Sequence, residues 1–230
     1  MKIFFEDEHI VIVQKPPKSL SQKDDSGDID LCSQLERHLN HKKLFVIHRL
    51  DRPVGGIIVY AKTKTAADKM TQCIKERNFH KSYLCIACGH ADPAQATLVD
   101  YLKKKSGQNV SVAVHKNNEG AKEARLDYKT LETVQNKREP LSLLLVQLQT
   151  GRHHQIRVQM AAHGLPLWGD AKYNPRARRH RNWTQIALWS HRLVFKHPFS
   201  GEEICIVDYP HNSEPWSLFQ FDRSDQTPFK

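Results

Sequence analysis

The chain has 230 residues, with 35 Lys+Arg against 25 Asp+Glu for a formal net charge of +10, 39% apolar residues and five cysteines. A chain of this length buries roughly 70% of its unfolded surface, so it needs no disulfide or metal staple to build a core. The longest strongly apolar run, Leu141 to Val146, is far short of the ~20 residues of a membrane-spanning helix. Acidic residues near the N-terminus stand where a signal peptide would be apolar, so a cytoplasmic location is expected. Cys73, Cys85 and Cys205 lie in apolar stretches and are expected to be buried thiols rather than disulfide partners.

Met1 to Phe5 and Ile10 to Gln14 flank the acidic turn Glu6-Asp7-Glu8 and predict a hairpin, ended by Lys15-Pro16-Pro17 because proline has no N–H to pair. Ser19 to Asp30 is polar and reads as a mobile loop. Asp30 caps a predicted helix over Leu31 to Asn40, and Phe45 to His48 begins an extended segment. Gly55 to Ala61 reads as a buried strand. Thr65 caps a helix in which Ala66, Met70, Cys73 and Ile74 recur at helical spacing as far as Arg77-Asn78. Strands are predicted over Lys81–Gly89, Val110–His115, Ala124–Glu132 and Leu141–Gln149.

A short helix is predicted from His153 to His163, ended by Gly164 and Pro166. A strand pair, Ala187–Lys196 with Glu202–Asp208, follows, and then a helical turn over Pro215–Phe219. About nine strands with three or four helices and no sustained strand–helix alternation give an α+β class with a mixed, mostly antiparallel sheet. Without a repeat or a low-complexity linker, residues 1–230 are read as a single domain.

The charge is unevenly placed. Residues 1–30 hold seven acids and four bases and residues 202–230 six acids and two bases, whereas 42–81 hold ten bases against three acids and 170–197 seven against one. Clustered bases between acidic ends are the footprint of a polyanion partner, although a merely solvated surface fits as well.

Three stretches stand out. In IHRLDRPVGG (47–56), Asp51 is bracketed by Arg49 and Arg52, which favours an ionised carboxylate fit for nucleophilic or general-base work. A turn cap or surface salt bridge explains the same spacing. Tyr83, in Lys81-Ser82-Tyr83, carries little signal alone. TGRHHQIRVQMAAHGLPLWGD (150–170) sets Arg152, His153, His154 and Arg157 over the first turns of a helix, a natural anion site. The 14 histidines are dispersed, with no H-E-x-x-H and no paired C-x-x-C, so no metal is expected. The single C-x-x-C, Cys85 to Cys88, lies in an apolar strand, and no P-loop or G-x-G-x-x-G is present.

Together these stretches resemble the RluA family of RNA pseudouridine synthases. HRLDRPVGG resembles its H-R-L-D-x-x-T-S-G signature, KSYLCIACG its K-x-Y-x-A-x-V-x-G, and LQTGRHHQIRVQMAAHGLPLWGDAKY its T-G-R-x-H-Q-I-R-x-H with the following G-x-P-I-x-G-D-x-x-Y. FFEDEHIVIVQKPP resembles the opening E-D-x-x-x-x-V-x-x-K-P, and the His197-Pro198 turn fits as well. The resemblance implies the pseudouridine synthase catalytic fold and a cofactor-free, monomeric isomerase of uridines in structured RNA, ribosomal or transfer. Asp51 matches the catalytic aspartate, acting on C1′ or C2′ of the sugar. Arg49 matches the arginine that enters the RNA as the uridine flips out, a step costing a few kcal/mol.

Tyr83 matches the tyrosine that stacks on the base, and Arg152 the arginine that pairs with the catalytic carboxylate. His154, Gln155 and Arg157 then support the site or touch phosphate, and Arg176, Arg178, Arg179 and Arg181 are candidate phosphate contacts. Val54-Gly55 replaces the family's Thr-Ser, His153 a frequent Thr, and Gln159 a frequent His. No S4-type RNA-binding module is expected, so RNA selection falls to this domain. A non-catalytic RNA-binding factor and a metal-dependent nuclease remain as alternatives.

Overall fold

The computed structural model describes residues 1–41, 43–137, 139–178 and 185–220, the side chain of residue 178 excepted. In chain order the strands are β1 (Ile3–Glu6), β2 (Ile10–Lys15), β3 (Phe45–Val46), β4 (Gly55–Ala61), β5 (Phe79–Cys88), β6 (Gln95–Lys104), β7 (Ser111–Val114), β8 (Lys122–Gln135), β9 (Pro140–Leu148), β10 (Leu188–Lys196) and β11 (Glu203–Val207). The helices are α1 (Leu31–His38), α2 (Lys64–Lys75), α3 (Gln155–Ala162) and α4 (Pro175–Arg178), with a 3-10 turn at Trp216–Leu218 where the helical turn is predicted. The class is α+β, as expected. The chain divides into two compact units, 1–82 with 189–210 and 83–188 with 211–230.

In the first unit β1 pairs antiparallel with β2, β2 and β3 with β4, and β10 with β11, while β4 and β10 run parallel with Trp189 opposite Gly55 and Ser190 opposite Gly56. The predicted hairpin turn is held by the Asp7 carboxylate, which accepts from the backbone N–H of His9 (2.8 Å) and Ile10 (2.7 Å). The core joins Ile10, Ile12, Ile57, Val59, Met70, Phe79, Leu193 and Phe195. Asp30 caps α1 as expected, its carboxylate accepting from Ser33 N and Oγ. Helix α2 is capped by Thr63 rather than Thr65: Thr63 is extended, and its Oγ1 accepts from Ala66 N at 3.1 Å, which places Thr65 inside the helix. Cys205 is exposed rather than buried, because alternation along β11 turns its neighbour Ile204 inward.

In the second unit the strand order is β5-β9-β8-β6-β7, with β9–β8, β8–β6 and β6–β7 antiparallel. Strand β6 has no counterpart in the sequence reading. Its inward positions are Leu98, Asp100 and Leu102, and the acid interrupts the apolar alternation. Asp100 is matched by Gln159 Nε2 of α3 at 2.7 Å and by His163 Nε2, just past the end of that helix, at 3.1 Å. Helix α3 packs Val158 against Leu102 and Ala124 and begins two residues later than expected, because His154 is left-handed at φ 56° and cannot belong to the helix. No helix among the described residues is long and apolar enough to cross a membrane.

Candidate active site

The first unit carries the Asp51 turn. His48 leaves β3 and accepts from Val59 N of β4 at 3.3 Å. Burial, aided by the charge of Lys81, pushes His48 down to about 3, so the ring is neutral. Leu50 is buried, and the Asp51 carbonyl accepts from Val54 N at 2.9 Å, closing a tight turn directly into β4. Arg49 is exposed and Asp51 half-buried. Arg52 is turned away toward residues 18–28: its Nη2 pairs with Asp28 at 2.6 Å and its Nε donates to the Lys18 carbonyl at 3.2 Å.

The sequence reading places Lys15 at the end of a strand and in the opening K-P motif, but not among the site residues. It is fully buried, and its ammonium donates to the carbonyls of Pro16 (3.1 Å), Ser19 (2.7 Å) and Arg52 (3.1 Å). Burial pulls it down to about 7, against the Asp51 carboxylate, which favours the charged form, and with Arg52, which opposes it. The lysine thus ties the residue after Asp51 to the end of β2. Its sequence signals are its place in the opening K-P motif and the two prolines that follow it, where freed carbonyls need a donor.

The Val54-Gly55 departure has a steric cause. A Cβ on Gly55 would fall inside the indole of Trp189, and that indole is fixed, its Nε1 donating to Asp208 (3.2 Å), which also holds Lys2 Nζ and Gln14 Nε2 at 2.8 Å. Serine at 55 is therefore excluded by tryptophan at 189. Gly55→Ser is expected to cost about 3 kcal/mol, the upper range for overpacking. In urea titrations Trp189→Leu should relieve part of this loss, leaving the double variant at least about 1 kcal/mol better than the sum of the singles; strict additivity would refute the coupling.

The second unit carries the other candidates. Tyr83 lies on β5 and is 6% exposed. Arg152 is exposed, with Nε donating to the Glu123 carbonyl at 2.7 Å. Gln155 shapes the turn that presents it: Oε1 accepts from Arg152 N (2.9 Å) and Thr150 Oγ1 (2.8 Å), and Nε2 donates to the Arg125 carbonyl (3.1 Å). Behind this turn, Tyr173 Oη accepts from Ser111 N (2.8 Å) and shares a hydrogen bond with His154 Nδ1 at 2.7 Å. Burial, with the charges of Arg157 and His153, pushes His154 down to about 2.

Arg157 is buried in a two-bond pair with Asp170 (2.8 and 2.7 Å) and lies 5.2 Å from the Tyr173 ring centre. His154, Gln155 and Arg157 are thus each engaged with neighbours inside this unit. His153, where the family often has Thr, bonds Ser111 Oγ (2.8 Å) and Asn109 Oδ1 (2.9 Å).

Arg176, on α4, pairs with Glu139, and Arg178 closes the same helix. Arg179 and Arg181 lie outside the described residues. Cys85 and Cys88 are buried. Burial raises both thiols, Cys88 to about 11, which makes them poor nucleophiles. Among the described residues no group of three or more His, Cys, Asp or Glu is placed to hold a metal.

Residues 9–162 match the family model for RNA pseudouridylate synthase. The chain belongs to that family. The match spans Lys15, Asp51, Tyr83 and Arg152. An uncharacterized RNA pseudouridine synthase of Mycoplasma pneumoniae is 28% identical over 205 residues, covering 89% of this chain, and this chain spans 65% of that relative's length. The tRNA pseudouridine synthase C of Vibrio parahaemolyticus is 28% identical over 218 residues, covering 89% of this chain and 88% of the relative. The structure of human RNA pseudouridylate synthase domain containing 1 is similar with a TM-score of 0.75 at 25% identity, covering 92% of this chain and 83% of that one.

Proposed function

We propose that this chain is an RNA pseudouridine synthase, an isomerase acting as a monomer on structured cytoplasmic RNA. In the reaction the N1–C1′ bond of a uridine breaks, the C5–C1′ bond forms, and the proton on C5 leaves to water while N1 takes one up, so atoms balance without a cofactor. Asp51 supplies the carboxylate that acts on the sugar, and the family resemblance assigns Tyr83 the part of the stacking tyrosine and Arg152 that of the motif arginine. Exposed Arg49 enters the RNA as the base flips out and offsets part of the few kcal/mol that flipping costs.

The observation that carries the reading is the Asp51 turn itself. Its backbone is closed by Val54 N and clamped by Lys15 on the Arg52 carbonyl, so a carboxylate in a basic segment is held on a backbone with little freedom. Such fixed placement is what positioning catalysis requires.

Both transfer and ribosomal RNA fit this reading, and the likeness along 88% of an enzyme named for tRNA puts tRNA first. The test is release of tritium from tRNA and rRNA transcripts labelled at C5 of uridine. Release from one of them, with pseudouridine at a defined position, is the expected result. Tight RNA binding with no release from either pool would favour the non-catalytic binding factor. Cleaved RNA, prevented by a chelator, would favour the nuclease.

A further inference from the structure

Between β2 and α1 the sequence reads as a polar, mobile loop, but its first part is built into the core. Leu20 and Ser21 are buried. The Ser21 hydroxyl donates to the Leu50 carbonyl at 2.9 Å and accepts from Leu50 N at 3.1 Å. The Ser21 carbonyl in turn accepts from the Tyr60 hydroxyl at 2.6 Å, and Tyr60 is a fully buried residue of β4.

A hydroxyl has one proton and two lone pairs. Ser21 uses the proton and one lone pair to satisfy both backbone groups of one residue, as a neighbouring strand would. That residue is Leu50, immediately before Asp51. Lys15 holds the carbonyl of the residue immediately after it. The chain entering the Asp51 turn is therefore fixed by a side chain of the 18–30 segment, which no motif in the sequence reading includes.

We infer that Ser21 is a positioning residue for Asp51: its hydroxyl sets the backbone on which the reacting carboxylate rides. The inference rests on the reading of Asp51 as that carboxylate. Without the hydroxyl, the Leu50 N–H and C=O lose their partner and must move to find water. A displacement of about 1 Å at a reacting group costs on the order of 10²-fold in rate.

The test uses the full chain with labelled RNA, comparing Ser21→Ala, Ser21→Thr, Tyr60→Phe and Asp51→Asn. Ser21→Ala should lower kcat by about 10- to 100-fold with KM for RNA nearly unchanged, and Ser21→Thr, which keeps the hydroxyl, should recover most of the loss. Tyr60→Phe, which loosens the same residue from its other side, should lower kcat several-fold. A wild-type kcat in folded Ser21→Ala, a loss seen mainly in KM, or no recovery in Ser21→Thr overturns the inference. Should Ser21→Ala not fold, a wild-type kcat in Tyr60→Phe overturns it. Full turnover by Asp51→Asn would instead strike down the underlying reading of Asp51, which separates the two failures.

Discussion

Asp51→Asn is expected to abolish turnover while leaving the fold in place, with tritium release falling by at least about 10⁴-fold, the upper end of what one proton-transferring side chain contributes. Asparagine has nearly the same shape, so the Asp51–Val54 turn and the Lys15 clamp on Arg52, both made through backbone carbonyls, survive the change. What disappears is the negative charge and the carboxylate lone pairs that the proposed reaction uses at C1′ or C2′; an amide does neither step at a useful rate. The loss should fall on kcat, since the substitution leaves Arg49 and the other proposed RNA contacts unchanged. A second effect follows from electrostatics: the Asp51 charge favours the ammonium of Lys15, so the variant should hold Lys15 less firmly protonated. Single-turnover tritium release checks the rate, and urea titration checks the fold. Retained turnover would remove Asp51 from the chemistry.

Much of this arrangement could be read from the sequence wherever one local force dominates. Continuous apolar runs such as GGIIVYA in β4 and KSYLCIAC in β5 have no other place than a buried sheet. Asp30 announces α1 because an acid before an apolar helical face satisfies orphan N–H groups.

Reading failed where a distant partner decides. Asp100 hides β6 because its partners Gln159 and His163 lie some sixty residues on. The start of α3 depends on His154 adopting a left-handed backbone, which a tyrosine hydroxyl reaching its ring supports. Gly55 in place of serine has its reason in Trp189, which lies across the parallel pair and about 130 residues on. In the site itself, the motif arginines drew attention as neighbours of Asp51, yet Arg52 is given to Asp28, while the buried cation beside the turn is Lys15, thirty-six positions earlier.

Lys15→Met is expected to destabilise the protein by about 3 kcal/mol, because a side chain of similar length removes all three N–H donors from half-buried carbonyls, each at the low end of the about 1–3 kcal/mol that an orphaned group costs. Against a total stability of about 5–15 kcal/mol, that is enough to leave much of the chain unfolded at moderate urea, and the midpoint of a urea titration measures it. Lys15→Arg should not rescue the loss, since a planar guanidinium cannot converge on three carbonyls around one nitrogen.

The pH dependence separates this clamp from ordinary packing. The lysine sits near 7 in the folded protein against 10.5 ordinarily. Below pH 7 both states hold the proton, and Lys15 adds no slope. Between pH 7 and about 10.5 the unfolded chain holds it while the folded chain has released it, so stability rises with pH by up to about 1.4 kcal/mol per unit. That slope should be present in the wild type and absent in Lys15→Met. A variant as stable as the wild type, or an equal alkaline slope in both, would show that the Pro16, Ser19 and Arg52 carbonyls do not depend on this ammonium.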